Sequence, residues 1–167
     1  MSSLGDCVKE YAIQLSKGQI QTAYRGIMTF MSDLKSSLEH KYSDFTASAV
    51  YLGYLDMTYF AFTPSSLRDR RLKIAIVYLH KECRFESWLA GNTRQIQAEY
   101  VEMLSRKDLG RYVLSQIRPG VDSIIASSIV EQPDFDDPDE LKKHIEVKTM
   151  EFVEDMVHIL DTRLARS

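Results

Sequence analysis

Residues 51–100, YLGYLDMTYFAFTPSSLRDRRLKIAIVYLHKECRFESWLAGNTRQIQAEY, decide the fold of this chain. They contain the only tryptophan and one of the two cysteines, and they are rich in aromatic and charged side chains. The apolar residues follow a period of two up to about Gly91 and a period of 3.6 after it. This change predicts three successive strands that lead into a helix, with polar groups spaced along the sheet.

Each of the three strands has its own pattern. The first runs from Tyr51 and ends at Pro64 and the serine pair that follows it. The run LKIAIVYLH at 72–80 is apolar on both sides, which is typical of a central strand covered on both faces. Residues 83–89 follow after a tight connection and should pair with it antiparallel. On one face of this third strand the alternation places Arg84, Glu86 and Trp88.

Helices are predicted on both sides of this stretch. Apolar residues spaced by three and four predict helices over about 4–15 and 18–40. Residues 42–48 are predicted to form a loop, with the alternative that 47–50 extend one of the neighbouring elements. Asn92 is a suitable N-cap for a helix to about Lys107, and residues 109–117 predict a further short helical segment.

The last third of the chain contains one ambiguous segment and one clear signal. SIIASSIV at 123–130 is rich in β-branched residues and predicts a fourth strand, but its isoleucines are also spaced by four, so a helix remains the alternative. Asp137, Pro138 and Glu140 have the pattern of an N-cap, a proline at the first helical position and a glutamate at the third. An apolar stripe continues this helix from Leu141 to Leu164.

These elements predict an α+β fold in a single domain, 1–167. The sheet is small and mainly antiparallel, with three or four strands, helices packed against it and a long C-terminal helix. A chain of 167 residues is long enough to bury a core, and 44% hydrophobic residues with 27% charged residues is an ordinary globular composition.

Charge, cysteines and hydropathy exclude several classes. The net charge of −3 and the absence of a basic cluster longer than RDRR at 68–71 argue against nucleic-acid binding. Cys7 and Cys83 are far apart and in no CxxC motif, so neither a disulfide scaffold nor a cysteine zinc site is expected. We find no signal peptide and no apolar run of 18 residues, so we expect a cytoplasmic protein without membrane segments.

The polar and aromatic residues of the central stretch are the candidate ligand-binding site. A carboxylate, an imidazole and guanidinium groups on adjacent strands are able to form an anion clamp or an acid/base set. The alternative is that they form ordinary ion pairs along the sheet. The candidate residues are Tyr54, Asp56, Tyr59, His80, Arg84, Glu86, Trp88 and Arg94.

No motif identifies a metal, a cofactor or a catalytic nucleophile. The four histidines show neither HxH nor HExxH spacing, and the acidic segment EQPDFDDPDE at 131–140 lacks the spacing of a calcium loop. There is no phosphate-binding glycine loop and no GxSxG motif. We therefore expect no metal and no cofactor.

The motifs of the chain resemble those of an uncharacterised family of small bacterial proteins. The resemblance rests on AYRGIM at 23–28, on YLGYLDMTYFAFTP at 51–64 and on LKIAIVYLHK with RFESWLAGNTR at 72–81 and 84–94. In the last motif Thr93 separates Asn92 from Arg94, which departs from the family pattern. The resemblance implies a bacterial, cytoplasmic, single-domain protein of unknown function, and it transfers no catalytic residue.

Three functional hypotheses follow. The leading one is a non-enzymatic module that binds a small molecule or a protein at the candidate site. The second is an enzyme without a cofactor, in which His80 or Glu86 is the base and Arg84 orients an anionic substrate. The third is a structural or regulatory homodimer that pairs through the last helix.

Overall fold

The computed structural model describes residues 1–162. It contains an antiparallel sheet whose strands differ in length, with helices packed on one side. None of the helices in this part of the chain is long and apolar enough to cross a membrane. The elements in chain order are α1 Leu4–Ser16, α2 Gln19–Lys41, β1 Phe45–Ala47, β2 Met57–Pro64, α3 Ser65–Arg68, β3 Leu72–Leu79, β4 Arg84–Gly91, α4 Arg94–Leu104, β5 Ser123–Glu131 and α5 Pro138–Asp161.

The sheet has five strands in the order β1-β2-β3-β4-β5, and every neighbouring pair is antiparallel. The α+β class and the long C-terminal helix are confirmed, but the prediction of three or four strands is wrong. The extra strand is β1, which lies in the segment 42–48 that we predicted to be a loop. A strand of three residues is too short to show alternation, so only its pairing with Pro64, Thr63 and Phe62 defines it.

The first central strand begins later than predicted, at Met57 instead of Tyr51. Gly53 and Leu55 have positive φ angles of 80° and 67°, which turn the chain away from an extended path. A Cβ on Gly53 would lie 1.9 Å from the carbonyl oxygen of Met57, so this tight turn requires glycine. Tyr51 still forms an isolated bridge with Tyr59, which continues the edge of the sheet past β1.

The ambiguous segment at 123–130 is the strand β5, which pairs with β4 along most of its length. The predicted helical segment at 109–117 is wrong, because this part of the chain is irregular. Its backbone bonds to β5 instead: Leu114 bridges Ile125, and the Ser115 amide donates to the carbonyl oxygen of Ile124 at 2.8 Å. This long-range pairing replaces the local bonds of a helix.

The helices begin and end close to the predicted positions. α1 starts with a capping box in which the Ser3 hydroxyl and the Asp6 carboxylate bond each other's backbone amides. Its predicted apolar stripe remains exposed, since none of its residues is buried. α4 is capped by Thr93, one residue after the predicted Asn92, and it ends at Leu104.

The start of α5 confirms the helix N-terminus that was predicted from the N-cap, proline and glutamate pattern at 137–140. The Asp137 carboxylate accepts from the Glu140 amide, and Pro138 is the first helical residue. The predicted stripe is buried against the sheet of the same chain from Leu141 to Leu160; Leu164 lies outside the described residues.

The core lies between the sheet and the helices. Its buried sheet residues on the helix side include Phe60, Phe62, Ile74, Ile76, Phe85 and Leu89. The α2 side chains, with Leu141 and Ile145 of α5, cover one end of this face, and the second half of α5 with α4 covers the other. We call this the helix-covered face and the opposite side the open face. The core thus fixes which alternate residues of each strand point away from the helices.

Candidate ligand-binding site

The strand register places successive rows of side chains on the open face, three of which carry the residues of interest. Tyr59 is opposite Val77, which is opposite Glu86, and the neighbouring row contains Ala61, Ala75 and Trp88. Lys73 and Ala90 form the third row. β3 was predicted to be covered on both faces, but the buried side chains of α2 and α5 pack on the helix side only. Thr149 of α5 also contacts that side, at the Ser87 hydroxyl, with 3.2 Å between the two oxygens.

Ala75 and Val77 are nevertheless buried, at 4% and 0% exposure. They are small side chains that lie between strands carrying larger ones, such as Tyr59 and Trp88. Burial by neighbours on the same face explains why β3 has the apolar sequence of a covered strand. The small side chains of β3 also leave a depression on the open face between the larger side chains of β2 and β4.

A cleft of about 230 Å³ lies on the open face at the end of the sheet where β4 leads into α4. We call it the β4–α4 cleft. Ala75 and Ala90 belong to its floor, and Tyr59 and Trp88 are its aromatic residues. Its polar residues are Lys73, Asn92, Thr93, Arg94, Gln97 and Asp122.

Two residues at the junction of β4 and α4 shape this cleft. Gly91 approaches α4 so closely that a Cβ there would lie 2.7 Å from the Gln97 amide nitrogen. The Thr93 hydroxyl then accepts from the Ile96 amide at 3.1 Å and starts the helix. The chain therefore turns from strand to helix within two residues, which holds Arg94 beside the sheet.

Arg94 is held at the rim of the cleft by groups from the loop before β5. Its guanidinium donates to the Asp122 carboxylate at 2.8 Å, to the carbonyl oxygen of Val121 and to the Gln97 side chain at 3.1 Å. Gln97 is itself buried and donates to the carbonyl oxygens of Val121 and Ser123. The Arg94 charge is thus balanced by Asp122, although both side chains remain more than half exposed.

Lys73 is the other cation of the cleft, and it has a different environment. It is half-buried on β3, opposite Ala90. Within residues 1–162 its ammonium group makes no hydrogen bond or ion pair with another side chain. With Arg94 balanced by Asp122, the charged lining of the cleft has a net charge of +1, and Lys73 is its unpaired cation.

Trp88 is oriented by a buried carboxylate on its own strand. Its indole Nε1 donates to Glu86 Oε1 at 2.8 Å, and Arg84 Nε donates to Glu86 Oε2 at the same distance. Glu86 is 7% exposed, so both of its oxygens have a partner where water is largely excluded. These hydrogen bonds hold the three side chains in a fixed arrangement. They use the only N–H group of the indole, so the two faces of the Trp88 ring take part in no hydrogen bond within residues 1–162.

Tyr59 contributes a ring and a hydroxyl group from β2. Its ring packs against Tyr51 with the centroids 5.0 Å apart. Burial, together with the nearby Tyr51 and Asp122 side chains, raises the pKa of Tyr59 above its usual value. A tyrosine hydroxyl is protonated at neutral pH even at its usual pKa of about 10, so this one is able to donate a hydrogen bond.

The structure divides the eight predicted site residues into two groups. Tyr59, Trp88 and Arg94 line the β4–α4 cleft, and Arg84 and Glu86 adjoin it through Trp88. The remaining three, Tyr54, Asp56 and His80, are elsewhere, so the predicted convergence of all eight does not occur. Odd and even strand positions point to opposite faces, and His80 follows Tyr78, which belongs to the helix-covered core.

His80 belongs to a structural contact at the end of β3. Its Nε2 lies 2.8 Å from the Thr58 hydroxyl, which donates its single proton to the carbonyl oxygen of Leu52 at 2.7 Å. The imidazole must therefore be the donor to Thr58, which assigns the Nε2–H tautomer. Burial lowers the pKa of His80, and the nearby Asp56 carboxylate offsets part of this effect.

Asp56 and Tyr54 belong to the turn that this histidine supports. The Asp56 carboxylate accepts from the Tyr54 amide at 3.0 Å, and its carbonyl oxygen accepts from the His80 amide at 3.1 Å. Backbone amides of Met57 and Tyr54 lower the pKa of Asp56. Tyr54 is 88% exposed. Both residues shape a turn next to β2 and do not reach the cleft.

The comparison with protein families gives one result. Residues 4–160 match the family described as a domain of unknown function, DUF7000. The chain belongs to this family. No curated protein and no solved structure matches the chain.

For this member of DUF7000, the family match confirms the resemblance to an uncharacterised family and covers nearly the whole chain. The bacterial origin and the cytoplasmic location that the resemblance implied remain predictions. The match supplies no ligand, so the geometry of the open face is the basis for assigning a function.

Five of the six polar cleft residues were not among the predicted site residues: Lys73, Asn92, Thr93, Gln97 and Asp122. Lys73 carried a usable signal, because it is the only charged residue inside the apolar run of β3. Gln97 and Asp122 carried none, since they are ordinary polar residues that reach the cleft only when β5 pairs with β4.

The described residues offer no metal centre or redox pair. No group of three or more histidine, cysteine, aspartate or glutamate side chains within residues 1–162 is arranged to hold a metal ion. Cys7 and Cys83 are both free and exposed. The Tyr78 hydroxyl lies 3.6 Å from the Cys83 sulfur, on the side of the sheet away from the cleft.

Proposed function

We propose that this protein is a non-enzymatic module that binds a small organic ligand in the β4–α4 cleft. The observation that carries the proposal is a concave, mixed surface in which alanines form the floor beside Tyr59, Trp88 and Lys73, a cation with no ion-pair partner among residues 1–162. Binding sites for small molecules combine an apolar and aromatic lining with a few polar groups that fix orientation. The volume of about 230 Å³ is below the roughly 300–1,000 Å³ of sites for drug-sized ligands, which favours a small one.

Binding is favoured over catalysis by the state of the two predicted bases. A general base needs a free lone pair within reach of the substrate. Glu86 is 7% exposed, and each of its carboxylate oxygens already accepts a hydrogen bond, from Trp88 and from Arg84, so little of the carboxylate is accessible to a substrate. His80 contacts Thr58 and lies against Tyr24 and Tyr78 on the other side of the sheet.

The test is a thermal-shift screen of a metabolite library, followed by calorimetry of each hit. A ligand at one hundred times its dissociation constant stabilises the folded state by about 2.7 kcal/mol, which is readily measured. Ala75→Leu fills the floor of the cleft, and we expect it to weaken binding at least tenfold.

Ala126→Leu is the matched control. Ala126 and Ala75 both pair with Trp88, on its two sides, but Ala126 is exposed and is not part of the cleft. This variant should bind as the wild type does. A library without hits, or a ligand whose affinity is insensitive to Ala75→Leu, would contradict the proposal.

A further inference from the structure

Resting on the proposed function, we infer that the ligand of the β4–α4 cleft is a planar aromatic carboxylate of one or two rings, whose ring lies between Tyr59 and Trp88 and whose carboxylate pairs with Lys73. The inference depends on three features of the cleft: the spacing of its aromatic residues, the groups left free to bond a ligand, and the net charge of its lining.

The aromatic residues are placed two strands apart. Tyr59 is on β2 and Trp88 is on β4, in neighbouring rows of the open face, and Ala75 of β3 is directly opposite Trp88 and diagonal to Tyr59. Neighbouring strands are about 4.8 Å apart, so the two aromatic residues arise from backbones roughly 10 Å apart. Alanine leaves the space above the middle strand empty. A flat ring fits this space and contacts both aromatic side chains, whereas a bulky saturated group does not.

The free hydrogen-bonding groups of the cleft are mainly donors. Lys73 has no partner among residues 1–162, and the Tyr59 hydroxyl, which is protonated at neutral pH, has none there either. One oxygen of the Asp122 carboxylate accepts from Arg94, which offsets the negative charge of this residue, and the Trp88 Nε1–H is bonded to Glu86. A ligand group that accepts several hydrogen bonds is therefore complementary, as a carboxylate is.

The charge of the lining favours a monoanion. Lys73 and Arg94 contribute two positive charges and Asp122 one negative charge, so one negative charge on the ligand neutralises the site. A phosphate monoester, with a charge near −2 at neutral pH, would leave an excess of negative charge beside Asp122. The net charge of the lining therefore favours a carboxylate over a phosphate as the acidic group of the ligand.

The indole group of Trp88 provides a direct readout, because it is the only tryptophan of the chain and lines the cleft. In protein labelled with ¹⁵N-tryptophan, a single indole cross-peak reports binding without interference from ligand absorbance. The probes are 2-naphthoate, its neutral amide 2-naphthamide, the saturated acid cyclohexanecarboxylate and 2-naphthyl phosphate. We expect a saturable shift with 2-naphthoate and at least tenfold weaker binding of the other three.

Lys73→Met tests the contact with the carboxylate, and Lys81→Met, at an exposed position in the turn between β3 and β4, is its control. Lys73→Met should reduce the affinity for 2-naphthoate to that for 2-naphthamide, without changing the latter. Lys81→Met should change neither.

Two results would overturn the inference while leaving the proposed function intact. One is binding of the amide, the saturated acid or the phosphate that equals or exceeds binding of 2-naphthoate. The other is an affinity for 2-naphthoate that is unchanged by Lys73→Met. If none of the four probes shifts the indole peak, the inference is also wrong, and the library screen with Ala75→Leu decides separately whether the cleft binds any ligand.

Discussion

At the scale of single residues, the buried carboxylate of Glu86 is the most constrained polar group of the open face. It accepts one hydrogen bond from Trp88 and one from Arg84, at 2.8 Å each. A glutamine has only one acceptor oxygen, so its amide group would face one of these two donors. The arrangement makes Glu86 a positioning residue for the tryptophan of the cleft.

We predict that Glu86→Gln lowers the free energy of unfolding by about 1–2 kcal/mol, because one buried donor loses its acceptor. Urea unfolding followed by Trp88 fluorescence measures this change. Glu82→Gln, at an exposed position in the β3–β4 turn, is the control and should be close to neutral. Equal stability of the two variants would show that the Glu86 contacts do not orient Trp88.

Gly91 is the residue at which the strand and the helix of the cleft come closest. An added methyl group would meet the Gln97 amide nitrogen at 2.7 Å and the Ile96 side chain at 3.1 Å. We predict that Gly91→Ala lowers the free energy of unfolding by about 1–3 kcal/mol through overpacking.

Gly26→Ala is the matched glycine-to-alanine change for which we expect a stabilising effect. Gly26 lies within α2, and a Cβ there has no neighbour within 4 Å. The free energy of unfolding should rise by about 0.5–1 kcal/mol, because alanine favours the helix. Thermal unfolding of both variants checks the pair, and the first prediction fails if Gly91→Ala is as stable as the wild type.

At the scale of elements, α4 depends on a single side-chain cap. The Thr93 hydroxyl accepts from the Ile96 amide, and the residue that follows it is Arg94 at the cleft rim. We predict that Thr93→Ala lowers the free energy of unfolding by about 1 kcal/mol. Thr93→Ser, which retains the hydroxyl, should restore most of it.

Thr93→Ala and Thr93→Ser also test whether the cap orders the residues of α4 that line the cleft. If the cap holds the first turn of α4 in place, amide hydrogen exchange of residues 94–97 should be faster in Thr93→Ala than in Thr93→Ser. Identical exchange in the two variants would mean that the contacts of Arg94 and Gln97 with the loop before β5 are sufficient to order this turn.

At the scale of the whole molecule, His80 makes stability depend on pH. Burial lowers its pKa in the folded state, whereas the unfolded chain has a pKa near 6.5. As pH falls through about 6.5, the unfolded state therefore binds a proton before the folded state does. The free energy of unfolding should decrease with falling pH until the folded-state pKa is reached, and then level off.

Urea unfolding at several pH values between 8 and 5 measures this dependence. His80→Gln removes the titrating group, so its stability should approach that of the wild type as the pH falls. His144→Gln exchanges an exposed imidazole on α5 and serves as the matched background. Parallel curves for the wild type and His80→Gln would contradict the prediction.

Elements with local signals were identified correctly from the amino-acid pattern alone. Period-two alternation located β2 and β4, with Pro64 at the end of β2, and a continuous apolar run located β3; the Asp137–Pro138 cap with its apolar stripe located α5. Alternation also assigned Arg84, Glu86 and Trp88 to one face correctly. These features depend on residues a few positions apart, which is the range over which backbone geometry relates side chains directly.

Features that depend on pairing between distant segments become visible only in the folded chain. β1 exists because it pairs with β2, residues 109–117 are irregular because they bond β5, and the helix alternative for β5 is excluded by its ladder with β4. The site follows the same rule. Lys73, Trp88 and Asp122 meet because three strands and a loop adopt one register, and His80 is excluded from the cleft because it is on the other face of the sheet. Such long-range contacts depend on the whole chain, so no local pattern encodes them.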